Sequence, residues 1–144
     1  MIRPMPFAFA AALALTACTA PFHLYPVKGP LAGQQPVPVI LAKATGVTSG
    51  TISFLLPTGE SCAGAWAPVA PGQVVNDLAP AWDSVFGEGN YVARVLGAKW
   101  HGRATIRGDQ GTVVLIEFYR DTVQDSPLLG IAKDNNGNIY KVAQ

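Results

Sequence analysis

The residues able to do chemistry in this 144-residue chain are few: two cysteines, two histidines, nine acidic side chains and three tryptophans. A thiol nucleophile needs a base within hydrogen-bond reach, and Cys62 with His101 is the one Cys–His pair to weigh in the body, with no spacing signal behind it. Gly59-Glu60-Ser61-Cys62-Ala63-Gly64 carries one residue too many before its second glycine for a nucleophile elbow, and hairpin signals surround the serine where a strand-to-helix turn is required. Asp134, Asn136 and Asn138 alternate like oxygen donors of a calcium loop, yet Gly137 stands fourth where sixth is needed, and no bidentate acid follows. These read as turn residues. His23 and His101 have no neighbouring His or Cys, so neither reads as a zinc ligand, and His101 between Trp100 and Gly102 reads as a strand-end residue. The expectation is no catalytic residue, no metal and no cofactor. Aromatic and basic side chains remain: Trp66, Trp82, Trp100 and Tyr119, with Arg103 and Arg107 (and Lys99 near them) on one side of a predicted hairpin, form a candidate binding surface. Cys62, inside a predicted strand, is expected to be buried as a small hydrophobe.

The elements that must position these groups are predominantly strands. Many prolines and glycines, few charges and plentiful Val, Ile, Thr and aromatics favour short strands and turns over helices. Val39-Ile40-Leu41-Ala42-Lys43 reads as a first strand. Thr51-Ile52-Ser53-Phe54-Leu55-Leu56 then alternates with period two, turns at Pro57-Thr58-Gly59-Glu60, and returns as Ser61-Cys62-Ala63-Gly64-Ala65-Trp66, a first hairpin. A second hairpin pairs Arg103-Ala104-Thr105-Ile106-Arg107 with residues 112–120 across Gly108-Asp109-Gln110-Gly111, and its second arm is apolar on both faces, as a covered central strand would be. A third pairs residues 129–133 with 139–142 across Asn136-Gly137, a dipeptide suited to the positive φ angles of tight turns. Between them, Asn76-Asp77 and Pro80 fit either the start of a short helix near 77–87 or a loop carrying Trp82 and Phe86 onto the core. Tyr91-Val92-Ala93-Arg94-Val95-Leu96 reads as a further strand. The fold class is therefore mainly all-β: a small antiparallel barrel or sandwich built from hairpins, with either that one short helix or the loop in its place.

The first residues say where such a domain sits. Arg3, the apolar run Phe7 through Leu15 and the small residues after it have the layout of an export signal, too short for the roughly 20 apolar residues that span a bilayer. Leu15-Thr16-Ala17-Cys18 resembles the lipobox of bacterial lipoproteins. That resemblance covers the first eighteen residues and implies diacylglycerol on the Cys18 thiol, cleavage just before it, and membrane anchoring through its acyl chains. In that family Asp after the cysteine retains a lipoprotein in the inner membrane; Thr19 here implies the outer membrane, at its periplasmic face. The body also resembles small proteobacterial lipoproteins combining a Tyr-Pro-Val segment, here Tyr25-Pro26-Val27, with a terminal Gly-Asn-Ile-Tyr-Lys strand, here 137–141. The expected organisation is a signal peptide over 1–17, a lipidated Cys18 and proline-rich tether over 18–38, and a β domain over 39–144. Five prolines between 21 and 38 argue against a helix or a central strand, and an extended tether could hold the body about 60 Å from the bilayer.

Loss of Arg3 with the signal leaves nine basic against nine acidic residues, so nothing favours nucleic acid electrostatically. With Cys18 alkylated, Cys62 has no disulfide partner. The expected role is non-catalytic: a structural or protein-interaction domain with an envelope protein as partner. The alternative is a small-ligand or glycan binder using aromatics such as Trp66, Trp82 and Tyr119, and a thiol or serine hydrolase ranks third.

Overall fold

A computed structural model describes residues 19–70, 73, 75–121 and 126–144. The export signal, the lipidation at Cys18 and part of the loop before the third hairpin lie outside the described residues. Eight antiparallel strands close into a barrel in simple sequence order: β1 (Thr19–Lys28), β2 (Ile40–Thr45), β3 (Gly50–Leu55), β4 (Ser61–Pro68), β5 (Trp100–Gly108), β6 (Val113–Arg120), β7 (Leu129–Asp134) and β8 (Ile139–Ala143). β8 pairs back onto β1, which removes the free edges an open sheet would expose. The barrel, not the sandwich, is the architecture.

Period-two alternation sorts the side chains. Phe22, Leu24, Ile40, Ala42, Ile52, Phe54, Cys62, Trp66, Ala104, Ile106, Val114, Ile116, Phe118, Ala132, Tyr140 and Val142 point inward and form one core. The three expected hairpins are β3–β4, β5–β6 and β7–β8, with registers such as Phe54↔Cys62, Ile106↔Val114 and Ala132↔Tyr140. The short helix exists as α1 (Ala79–Phe86), with proline in its first turn.

Two expectations are corrected. Thr19–Lys28 is a strand of the barrel rather than a tether, so the β domain includes these residues and does not wait until 39. The prolines fit because β1 is staggered: residues 19–24 pair with β2, and residues 23–28 pair with β8. Pro21 is paired only with β2 and Pro26 only with β8, so each proline has one neighbouring strand rather than two. The second correction concerns residues 91–96. Tyr91–Val95 is a π-helical turn, with Tyr91 and Val95 buried on one side. A spacing of four satisfies both a strand's alternation and a helical turn, and the glycines at 87, 89 and 97 leave too short a segment for period to decide.

α1 and this π turn lie on the outer wall. Leu78, Ala81, Trp82, Tyr91 and Val95 pack there on Ile131, with Leu115, Tyr119 and Ile139 at the margin, making a second, smaller core. β6 is thus covered on both faces, by the barrel core inside and by α1 outside, which is why residues 113–116 are apolar on both faces.

Candidate functional site: the open end of the barrel

The two ends of the barrel differ. At the end bearing the β3–β4, β5–β6 and β7–β8 turns, buried polar groups close the interior. Asp134 Oδ1 accepts from the Asn136 and Asn138 backbone N–H groups, both at 2.9 Å, while its Oδ2 accepts from the Tyr140 hydroxyl at 2.7 Å and Asn138 Nδ2 at 2.9 Å. Glu60 accepts from the Thr112 hydroxyl at 2.6 Å and from the Thr112 and Gln110 backbone N–H groups at 3.0 and 2.9 Å. The Thr112 hydroxyl bond, ahead of the two backbone bonds, holds the Glu60 carboxyl below its ordinary value. Asn138 Oδ1 accepts from the Leu31 N–H at 2.9 Å, which ties the segment after β1 across this end.

At the opposite end the interior opens into a cavity of about 310 Å³. It lies among the first residues of β1, the turn after β2, and the ends of β4, β6 and β8, where inward positions carry Ala20, Ala44, Ile52, Trp66, Phe118 and Val142. Its size is roughly twice that of the ~150 Å³ apolar cavity that accepts benzene. Eight strands is the barrel size at which the interior either fills with side chains or holds one small ligand.

Three aromatic rings make one wall. Trp66 lies 5.9 Å from Phe118 edge to face and 6.3 Å from Trp100, and Trp100 lies 5.7 Å from Phe118. The Trp66 indole N–H donates to the Thr45 carbonyl at 2.8 Å, which satisfies its one polar group. Phe118 fits because its cross-strand partner is Gly102: a Cβ there would come within 2.4 Å of the ring. Trp100 is 39% exposed at the rim. Arg120 stands 5.3 Å above its ring and donates from Nη2 to Gln144 Oε1 at 3.2 Å. The cavity is therefore apolar within and carries one cation at its mouth, an arrangement able to bind but holding no nucleophile or acid–base pair among the described residues.

Of the sequence candidates, Trp66 and Trp100 meet at this cavity; the others do not. Trp82 and Tyr119 belong to the outer core, their rings 5.7 Å apart. Arg103 lies on the outer wall, where Nη2 bonds Asp77 at 2.7 Å and, as the first cause, draws that carboxyl below its ordinary value. Arg107 is exposed on the outer wall. His23 is on the outer face of β1, 5.8 Å from the Tyr25 ring. Cys62 faces the barrel interior with 1% exposure, and burial, then the nearby Glu60, Asp109 and Asp134 charges, push its thiol up to about 11. His101 points outward through the wall, so the two form no dyad.

His101 stands at the strand end as expected, second in β5, but it is buried there, with Nε2 2.8 Å from Glu117 Oε2. Glu117, fully buried, also accepts from the Trp82 indole N–H at 2.7 Å. The Tyr91 hydroxyl donates to the Val75 carbonyl and lies 3.4 Å from Glu117, and burial followed by that carboxylate pushes its pKa up to about 12. Two donors, His101 and Glu117, do not make a metal site, and the described residues hold no group of three.

Two functional-looking residues escaped the sequence reading, and each left a signal. Arg120 continues the inward series Val114, Ile116 and Phe118, so a charge stands at a position whose parity points into the barrel. Glu117 is the one acidic residue in β6 and stands amid its apolar run. No family model, curated protein or solved structure matches the chain.

Proposed function

We propose that this chain is a lipid-anchored protein of the bacterial envelope, cut before Cys18 and held at the periplasmic face of the outer membrane, whose barrel binds a small apolar molecule through its open end. The anchor and its location are supported by Leu15-Thr16-Ala17-Cys18 and Thr19. The binding role is carried by one observation: a cavity of about 310 Å³ walled by Trp66, Trp100 and Phe118 at the only end of the barrel that is not plugged by hydrogen-bonded turns, among the described residues. Concave, mainly apolar sites with a few placed polar groups are the usual form of small-molecule sites. Ala20 lines the mouth two residues after Cys18, a span of at most about 7 Å of chain. An acylated Cys18 therefore keeps the opening near the bilayer, where apolar ligands concentrate.

The test is a titration with decanol read by tryptophan fluorescence, because two of the three tryptophans border the cavity. Saturable binding is expected in the native chain, weakened at least about tenfold by Ala44→Phe, which fills the opening, if ~1.4 kcal/mol of contact is lost. A linear, non-saturating response identical in both proteins would remove the ligand-binding role. Mass spectrometry of the native amino-terminal peptide addresses the anchor: a diacylglyceryl thioether on Cys18 is expected, and an unmodified thiol there counts against it.

An envelope-protein partner is the second reading, favoured by an apolar strip on the outside of β1–β3. Leu41 is 51% and Leu55 61% exposed, one register position beyond the Ala42↔Phe54 pair, and Tyr25 and Val39 are exposed beside them. Crosslinking in intact envelopes, with Leu41→Lys as control, checks it.

A further inference from the structure

Arg120 is the one ionisable side chain among the described residues lining the cavity. A guanidinium at the edge of an apolar chamber is costly to desolvate unless something accepts its hydrogen bonds. Gln144 supplies one acceptor, to Nη2, and is itself held in place by the Leu128 backbone N–H, which donates to the same Oε1 at 3.2 Å. Arg120 Nε is buried and has no hydrogen-bond partner among the described residues. The guanidinium is also held over the Trp100 ring, so its position at the mouth is defined rather than free in solvent. A guanidinium fixed at the rim of an apolar chamber, with one of its donors unpaired, matches an anionic oxyacid joined to an alkyl tail.

We infer that the open end binds a single-chain alkyl acid, its tail lying against Ile52, Trp66, Phe118 and Val142 and its ionised head accepting hydrogen bonds from Arg120. This rests on the apolar-ligand reading above and narrows it to one chemical class. The guanidinium selects the acid from the matching alcohol, because only the acid brings a full negative charge to the cation at the mouth. The aromatic wall and the cavity volume set the tail's thickness at one chain.

The experiment uses the full chain held in lipid nanodiscs of one composition, so that partition of the probe into lipid is common to every arm. Decanoate, decyl phosphate and decanol are titrated at neutral pH, where both acids are ionised, against wild type, Arg120→Met and Arg120→Lys. Empty nanodiscs supply the background, and thermal unfolding followed by circular dichroism shows that each variant retains the barrel. Wild type is expected to bind decanoate or decyl phosphate at least about tenfold more tightly than decanol, as one charge-assisted hydrogen bond allows. Comparing the two acids identifies a carboxylate or a phosphate head. Arg120→Met should abolish the preference for acid over decanol measured in the same variant, and Arg120→Lys should keep part of that preference. Equal binding of acid and alcohol by wild type, or a preference that survives in Arg120→Met, overturns the acid-head assignment and leaves the apolar cavity standing. Failure of all three probes to saturate overturns both.

Discussion

The carboxylates of this protein show how far environment decides what one side-chain type does. Glu60 is built into a turn and takes three hydrogen bonds, the strongest lowering of its pKa coming from the Thr112 hydroxyl. Because the folded value lies below the ordinary 4.5, its contribution to stability is fully present above that pH and is lost as pH falls through the lowered folded value. Glu60→Gln should therefore be less stable than wild type at pH 7, with the gap closing on acidification toward pH 3. Urea midpoints across that range measure it, and a gap independent of pH would show that the ionised form carries no advantage. The Arg120 guanidinium is the counterpart at the other end of the barrel: there Nη2 is bonded to Gln144 while Nε has no partner among the described residues.

At the scale of elements, α1 is held to the barrel by a buried polar contact as well as by apolar packing. Trp82 reaches across from α1 to Glu117 on β6, and His101 on β5 meets the same carboxylate, so one side chain joins three elements. Removing it strands the indole N–H and the imidazole in a dry layer. Glu117→Ala is expected to cost about 3 kcal/mol, since leaving a buried donor without its acceptor costs roughly 1–3 kcal/mol and two partners are stranded. Glu117→Gln, which keeps a carbonyl acceptor for Trp82, should cost less. Urea unfolding measures both, and equal losses would mean that packing volume, not the hydrogen bonds, holds α1. β1 offers a different lesson. Its prolines are compatible with a barrel strand because the stagger gives each of them a single neighbour, a property of the pairing and not of the segment.

For the molecule as a whole, closure is the governing fact. With β8 paired to β1 there is no edge strand from which the barrel can fray, so the interior is reached either through the open end or by unfolding. Cys62 lies deeper than the cavity, on the plugged side, and its thiol is pushed up to about 11. Its alkylation at neutral pH should therefore follow global unfolding: slow in the native protein and rising with urea in step with the loss of circular dichroism. Rapid labelling of the native chain would show that the plugged end opens independently. A saturating cavity ligand should slow the same labelling, since whatever binds the folded barrel alone stabilises it by mass action.

The strand content, the three hairpins, the buried Cys62 and the inward parity of β3, β4 and β5 were legible in the sequence because they rest on local alternation and turn chemistry, and the short helix was legible as one of two readings. Closure, the place of β1, the π turn and the partition of the tryptophans were not. Whether Trp66 and Trp100 share a wall while Trp82 lies outside it depends on which strands are neighbours around the barrel, and Pro21 and Pro26 could be placed only once the stagger of β1 was known. Local sequence sets which face of a strand is apolar; long-range pairing decides what that face encloses, and here it encloses a chamber with a single cation at its mouth.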